Sequence, residues 1–285
     1  MVVEIANSWE NYELLDSGNG KRMERFGSYT VDRPDPQAIW KPLLPLHKWE
    51  QVDAFYSKKG SFEGWTKSND FPEKWEIKYE DLTVYAKLTP FKHTGIFPEQ
   101  SVQWEWMKNK IGKSSREINV LNLFGYTGIA SLICAKAGAK VTHIDASKPA
   151  ITWARENQKL SGLDNLPIRW IPEDSLKFVE REIRRGNKYD AIIMDPPAYG
   201  HGPTGEIWDF YKHFPILLEN CKRLLSDDPL FIIVNAYAIS ASSLMLKNML
   251  LEVGSEECIE VGELALKESG SGRLLSTGIF GRASF

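Results

Sequence analysis

Four points in the middle of the chain carry residues whose types and spacing suit chemistry. The first is the turn Gly125-Tyr126-Thr127-Gly128, which follows an apolar run at residues 118–124 and precedes a helix-forming run at 129–138. Glycine reaches φ > 0 and has no Cβ to block a ligand. The helix that follows offers free N–H groups to an electron-rich group. The second point is Asp145, which ends the strand-like run 140–144. It stands roughly twenty residues past the loop, where a carboxylate can accept hydrogen bonds from a ribose diol. The third is Glu173-Asp174, after residues 168–171, and the fourth is Asp195-Pro196-Pro197, after residues 189–194. In open α/β sheets ligands gather outside the carboxyl ends of the strands. A glycine turn with acidic residues at successive strand ends therefore points to a nucleoside-containing cofactor. The plain alternative for each aspartate is a helix cap.

The dinucleotide fingerprint G-x-G-x-x-G fits poorly, because Leu123 stands two residues before Gly125 and aromatic Phe124 and Tyr126 flank it. That spacing is wrong for a pyrophosphate and acceptable for a smaller ligand with a carboxylate and a ribose. On the substrate side, the two prolines after Asp195 stiffen the loop and remove two N–H donors, leaving carbonyls without local partners. A carboxylate beside exposed carbonyls is an acceptor-rich edge suited to an amino group, and Tyr199 could stack on an extruded base. The alternative is a tight strand exit with a core tyrosine. His201, followed by Gly202-Pro203, reads as a loop residue rather than a general base.

The elements that position these residues alternate strand and helix from residue 117 onward. Expected helices cover 129–138, 147–160, 175–185, 211–225 and 240–251, with strands at 118–124, 140–144, 168–171, 189–194, 230–235, 258–266 and 274–280. Ser147 and Pro149 suit the start of the second helix. The expectation is an α/β, Rossmann-like, mostly parallel seven-stranded sheet with helices on both faces, the last strand antiparallel. Residues 1–92 lack that alternation. A hairpin over 12–16 and 21–26 around Ser17-Gly18-Asn19-Gly20, with further strands at 49–55, 75–79 and 82–88, predicts a small N-terminal antiparallel β subdomain. Trp9, Trp40, Trp49, Trp65 and Trp75 read as its core, with base stacking the alternative. Residues 93–285 would then form the cofactor-binding domain, entered through Thr94–Gln100 by way of a loop and a helix at 101–110, either as a cover over the cofactor or as a plain linker.

Composition sets the limits. The 285 residues are 42% hydrophobic and 26% charged, an ordinary globular mix, with a formal net charge of −3 that gives no global attraction to nucleic acid. Cys134, Cys221 and Cys258 lie far apart without a C-x-x-C pattern, so they read as reduced thiols of a cytoplasmic protein rather than disulfides or metal ligands. The start of the chain lacks a signal-peptide pattern, and no apolar run is long enough to span a membrane.

Residues 120–235 resemble class I S-adenosylmethionine-dependent methyltransferases. VLNLFGYTGIASL, THIDASKPAITWARENQKLSGL and DAIIMDPPAYG are most similar to the branch that methylates large-subunit ribosomal RNA, and GIFPEQ resembles the element before that branch's core. The resemblance implies S-adenosyl-L-methionine as cofactor and an RNA base as acceptor. It implies that Phe124, Gly125, Tyr126, Thr127 and Gly128 hold the methionine moiety, that Asp145 with Ala146 and Ser147 holds the ribose, and that Asp174 with Glu173 and Ser175 meets the adenine. Gln100 would contact the cofactor from the pre-core loop, and Asp195, with Pro196 and Tyr199, would gate cofactor against substrate. The first 90 residues do not resemble the RNA-binding module that often precedes this core. Branch members that methylate cytosine C5 need a thiolate. Here the corresponding positions read Pro196-Pro197-Ala198 and Asn235-Ala236-Tyr237, which favours direct transfer to nitrogen. A small-molecule or protein methyltransferase, and a binding module without catalysis, are the competing readings.

Overall fold

The computed structural model of the protein describes residues 2–6, 9–59, 62–202 and 205–285. The chain divides into two units: Ile5–Val102 with Ala265–Thr277, and Met1–Glu4 with Gln103–Leu264 and Gly278–Phe285. Among the described residues no helix is long and apolar enough to cross a membrane.

After β1 (Val2–Ala6), the N-terminal unit holds β2 (Tyr12–Gly18), β3 (Lys21–Phe26), β4 (Tyr29–Pro34), α1 (Leu46–Trp49), β5 (Ala54–Lys59), β6 (Phe62–Lys67), β7 (Trp75–Tyr79) and β8 (Leu82–Ala86). The expected hairpin forms as β2–β3. Its two-residue turn places Asn19 at φ 54° and Gly20 at φ 75°, the left-handed pair that matches the strand twist. β2 to β6 make one sheet and β7–β8 a second. The subdomain is not wholly antiparallel, because β4 and β5 pair in parallel through Val31↔Ala54 and Asp32↔Phe55. Parallel neighbours need a crossover, and the residues between them, including α1, supply it. The strand expected at 49–55 accordingly starts only at Ala54, and Trp49 closes a short helix instead. Trp9 and Trp75 are buried. Trp40, Trp49, Trp65 and Trp75 donate their indole N–H groups to Ser17, Asp16, Thr89 and Phe26 within this unit. Trp9 and Trp75 are thus core residues as expected, whereas Trp40, Trp49 and Trp65 are only half-buried.

The second unit carries α2 (Ser101–Gly112), β9 (Asn119–Leu123), α3 (Ile129–Lys136), β10 (Lys140–Asp145), α4 (Lys148–Leu160), β11 (Ile168–Pro172), α5 (Ser175–Arg185) and β12 (Ala191–Met194). β13 (Tyr199–His201), β14 (Ile207–Asp209), α6 (Phe210–Leu224), β15 (Phe231–Ala236), α7 (Ser243–Leu250), β16 (Ile259–Lys267) and β17 (Leu274–Ser284) follow. The large sheet runs β1-β16-β17-β15-β12-β9-β10-β11. Within it the five strands β15, β12, β9, β10 and β11 are parallel and β17 is antiparallel to β15, as expected. It has eight strands rather than seven, since β1 adds an edge strand. The alternating side chains of the central strands separate two environments. Leu121, Leu123, Ile144, Ile192 and Met194 pack with Phe178 of α5 and with Phe210, Phe214 and Leu217 of α6 in one core. Asn122 and His143, one position out of step with those residues, serve the opposite face, where Ser131 of α3 meets them.

Candidate cofactor and acceptor site

β9 ends at Leu123 and the chain turns through residues 124–128. Phe124 (φ 56°), Tyr126 (φ 49°) and Gly128 (φ 83°) all sit in the left-handed region. That conformation costs a non-glycine residue on the order of 1 kcal/mol or more, so it persists only where surroundings over-determine it. The surroundings do so. Gly125 N–H donates to the Ile144 carbonyl (3.0 Å) and Gly128 N–H to the Gly125 carbonyl (3.0 Å). Tyr126 N–H donates to Asp145 Oδ2 (2.9 Å), and Asn157 Nδ2 donates to the Thr127 carbonyl (2.9 Å). The glycines matter for space as well. A Cβ on Gly125 would lie 2.3 Å from His143 Cε1, and one on Gly128 would lie 2.8 Å from Ala154 Cβ and 2.9 Å from the Trp170 ring.

The turn rests on a buried polar floor that sequence reasoning did not single out. Asn122 Nδ2 donates to Ser131 Oγ (2.9 Å), which also bonds His143 Nδ1 (2.9 Å). His143 is fully buried against Trp170, with ring centroids 4.6 Å apart. Burial holds its imidazole down to about 3, so it is neutral. The available signal was a polar side chain in the middle of each central apolar strand, VLNLF and VTHID.

Asp145 ends β10 beside the turn. Its two oxygens accept Tyr126 N–H and Ser147 N–H (2.8 Å), which fixes the carboxylate and leaves lone pairs for a ligand hydroxyl. Burial raises its carboxyl above the usual range, and the two backbone donors pull against that rise. Ala146 links it to Ser147, whose hydroxyl caps α4 by accepting from Ala150 N–H (3.3 Å). At the end of β11, Glu173 N–H donates to the Asp145 carbonyl (3.1 Å), joining the two strand ends. The Glu173 carboxylate itself is clasped by Arg181. Asp174 caps α5 through Oδ1, 3.0 Å from Lys177 N, and keeps its second oxygen for other use. Ser175, the first residue of α5, is buried. Gln100 ends a short 3-10 turn, Pro98–Gln100, and belongs to the N-terminal unit. The structure therefore brings together residues 124–128, 145–147 and 173–175.

Asp195 follows β12, and its N–H donates to the Leu123 carbonyl (3.3 Å), which ties it to the start of the glycine turn. The prolines do not leave all their neighbouring carbonyls unpaired. Trp208 Nε1 donates to the Pro197 carbonyl (2.6 Å) and Phe210 N–H to the Ala198 carbonyl (3.0 Å). Of the two residues that begin this loop, Asp195 is half-buried and Pro196 is buried. Tyr199 is not a core residue, being 57% exposed, and His201 is in strand β13 rather than in a loop. Pro203 lies outside the described residues. The Trp208 indole, 5% exposed, packs edge-on against Phe124 with centroids 4.8 Å apart. One side chain thus touches both the glycine turn and the Asp-Pro-Pro loop, a contact no local pattern announces.

A parallel sheet, a turn with glycine at its two tightest points and an acidic residue clamped at the end of the next strand define a Rossmann-like fold built to hold a nucleoside cofactor. The profile of the S-adenosylmethionine-dependent methyltransferases matches residues 33–264. The chain belongs to that family, and its cofactor is S-adenosylmethionine. It is 35% identical over 157 residues to the ribosomal RNA large subunit methyltransferase K/L of Shewanella frigidimarina, covering 54% of this chain and 21% of that protein. The chain thus spans about a fifth of the length of that curated relative. A SAM-dependent methyltransferase from Agrobacterium tumefaciens superposes with a TM-score of 0.95 at 42% identity, over 100% of this chain and 93% of that one. A proposed methyltransferase complexed with SAH shares the fold at 19% identity, with a TM-score of 0.70 over 96% and 75% of the two chains.

Proposed function

We propose that the chain methylates a nitrogen of a large-subunit ribosomal RNA base by direct in-line transfer, without a cysteine nucleophile. The observation that carries this reading is the coupling of Asp195-Pro196 to the glycine turn through the Asp195–Leu123 backbone bond. S-adenosylmethionine supplies a methyl group on a positively charged sulfur, already activated for displacement. Residues 124–128 receive its methionine moiety, Asp145 accepts from the ribose hydroxyls, and Asp174 faces the adenine. Asp195 and the Pro196 carbonyl accept from an amino group and hold its nitrogen in line, while Tyr199 stacks on the base. The cysteines support the absence of a covalent adduct. Cys134 and Cys221 are fully buried, and burial pushes both thiols up, Cys134 to about 12. Cys258 ends a 3-10 turn, where Ser255 Oγ donates to its sulfur (3.3 Å). The name of the Shewanella relative favours large-subunit RNA as acceptor, and a cytoplasmic setting suits three free thiols.

A protein or small-molecule acceptor is the second reading, favoured by the net charge of −3. Incubation with methyl-labelled cofactor, ribosomal RNA and ribosomal protein separates the two. Label in RNA, retained when all three cysteines are changed to serine, is the expected outcome. Label confined to protein, or loss of transfer in the folded cysteine-free chain, would overturn the reading.

A further inference from the structure

The hairpin β13–β14 has two chemically different faces. Its register pairs Tyr199 with Asp209, Gly200 with Trp208 and His201 with Ile207. Residues paired or two apart share a face, so Trp208 lies on one side while Tyr199, His201, Ile207 and Asp209 lie on the other. The Trp208 face is closed by the Phe124 ring and the Pro197 carbonyl. The other face is open: Tyr199 is 57% exposed, Ile207 is 55% exposed, and His201 is exposed as well. The Tyr199 and His201 rings stand at 85° with centroids 5.3 Å apart, so they present their faces in different directions. Asp209, the acidic member of this face, is turned to α6, where Oδ1 accepts from Lys212 N–H (3.4 Å) and Oδ2 pairs with Lys212 Nζ (3.7 Å).

From this geometry we infer that the open face of β13–β14 is a nucleobase platform. On it His201 and Ile207 hold the base next to the acceptor base in single-stranded RNA. The inference rests on the RNA reading above and extends it to sequence context. Three features of the site favour RNA. The exposed His201 ring, with Ile207 paired beside it, takes the flat face of an unpaired base, while Tyr199 is left to the acceptor base, and such stacking tolerates any base. The face continues directly from the Asp195 loop, which puts β13 four residues from the group proposed to hold the acceptor base. Its one carboxylate, Asp209, faces a helix N–H and the Lys212 ammonium rather than the open surface, so the phosphates that would accompany that base meet a lysine beside it. Trp208, locked on Phe124, keeps the platform in fixed register with the cofactor turn.

The test uses His201→Ala and Ile207→Ser, both at exposed positions outside the groups assigned to transfer. Each protein is titrated into a fluorescein-labelled single-stranded oligouridylate at one salt concentration, and its methyl transfer to large-subunit RNA is followed. The expected result is a loss of at least about fivefold in oligonucleotide affinity, the low end for one stacked base. The acceptor KM should rise to match, with kcat and the KM for S-adenosylmethionine within twofold of wild type. If wild type methylates RNA and both variants bind and turn over within twofold of it, the platform is refuted while the reaction assignment stands. If wild type methylates only a polypeptide, the platform and the RNA reading fall together.

Discussion

Gly125→Ala isolates the relation between the buried floor and the cofactor turn. The new methyl carbon would stand 2.3 Å from His143 Cε1, 2.5 Å from Nδ1 and 2.9 Å from Asn122 Nδ2, against an ordinary contact distance of 3.4–4 Å. The imidazole has nowhere to go, since it is fully buried, bonded to Ser131 and set against Trp170. Relief must come from the turn lifting by about 1 Å. Overpacking of this kind costs about 1–3 kcal/mol, and a shift of 1 Å in a positioning element costs about 100-fold in turnover. The expected outcome is a fall in unfolding free energy of that size in a urea titration, with at least tenfold weaker S-adenosylmethionine binding by calorimetry. Adding His143→Ala removes the obstructing ring, so the double variant should be more stable than the sum of the single effects by about 1 kcal/mol or more. Additive single effects, or a Gly125→Ala protein that binds the cofactor within twofold of wild type, would refute the idea that His143 sets the height of the turn.

Asp145→Asn turns an NH2 group toward one of two N–H donors now bonded to the carboxylate. At a cost of about 1–3 kcal/mol for an unmatched donor, calorimetry should show cofactor affinity reduced by about 5- to 150-fold; unchanged affinity would remove Asp145 from the site. Trp208→Phe keeps an aromatic ring against Phe124 and deletes the donor to the Pro197 carbonyl. It should lower kcat several-fold while leaving S-adenosylmethionine affinity within twofold, and a normal kcat would show that the indole bond does not position the acceptor loop. His143 gives a pH signature. Its folded value of about 3 lies below the value near 6.5 of an unfolded histidine, so the unfolded chain binds the extra proton between them. The histidine's contribution is therefore full above about pH 6.5 and erodes toward pH 3 at up to about 1.4 kcal/mol per pH unit. Denaturation of His143→Gln across pH 4–7 should lack that slope, and a profile parallel to wild type would contradict it.

Much of the catalytic unit was legible because its signals are local. A glycine turn between an apolar run and a helix, and an aspartate at a strand end, follow from backbone geometry within a few residues, and β9 to α5 formed close to the expected spans. Asp174 and Ser147 cap helices as such residues do. The N-terminal hairpin was equally plain from Asn19-Gly20. The parallel β4–β5 pair was not, since a crossover through residues 35–53 leaves no repeat to recognise.

The α/β class, the order of strand and helix, and the residues at the strand ends could all be read along the chain, because each rests on periodicity or on the φ preferences of glycine and proline. Folding in three dimensions was needed to reveal that Asn122, Ser131 and His143 form one floor, that Trp208 ties Phe124 to Pro197, and that Ala265–Thr277 groups with the N-terminal unit. The reason is physical. Each of those facts joins side chains distant along the chain, and their meeting is set by sheet order and register, which depend on the packing of the whole molecule.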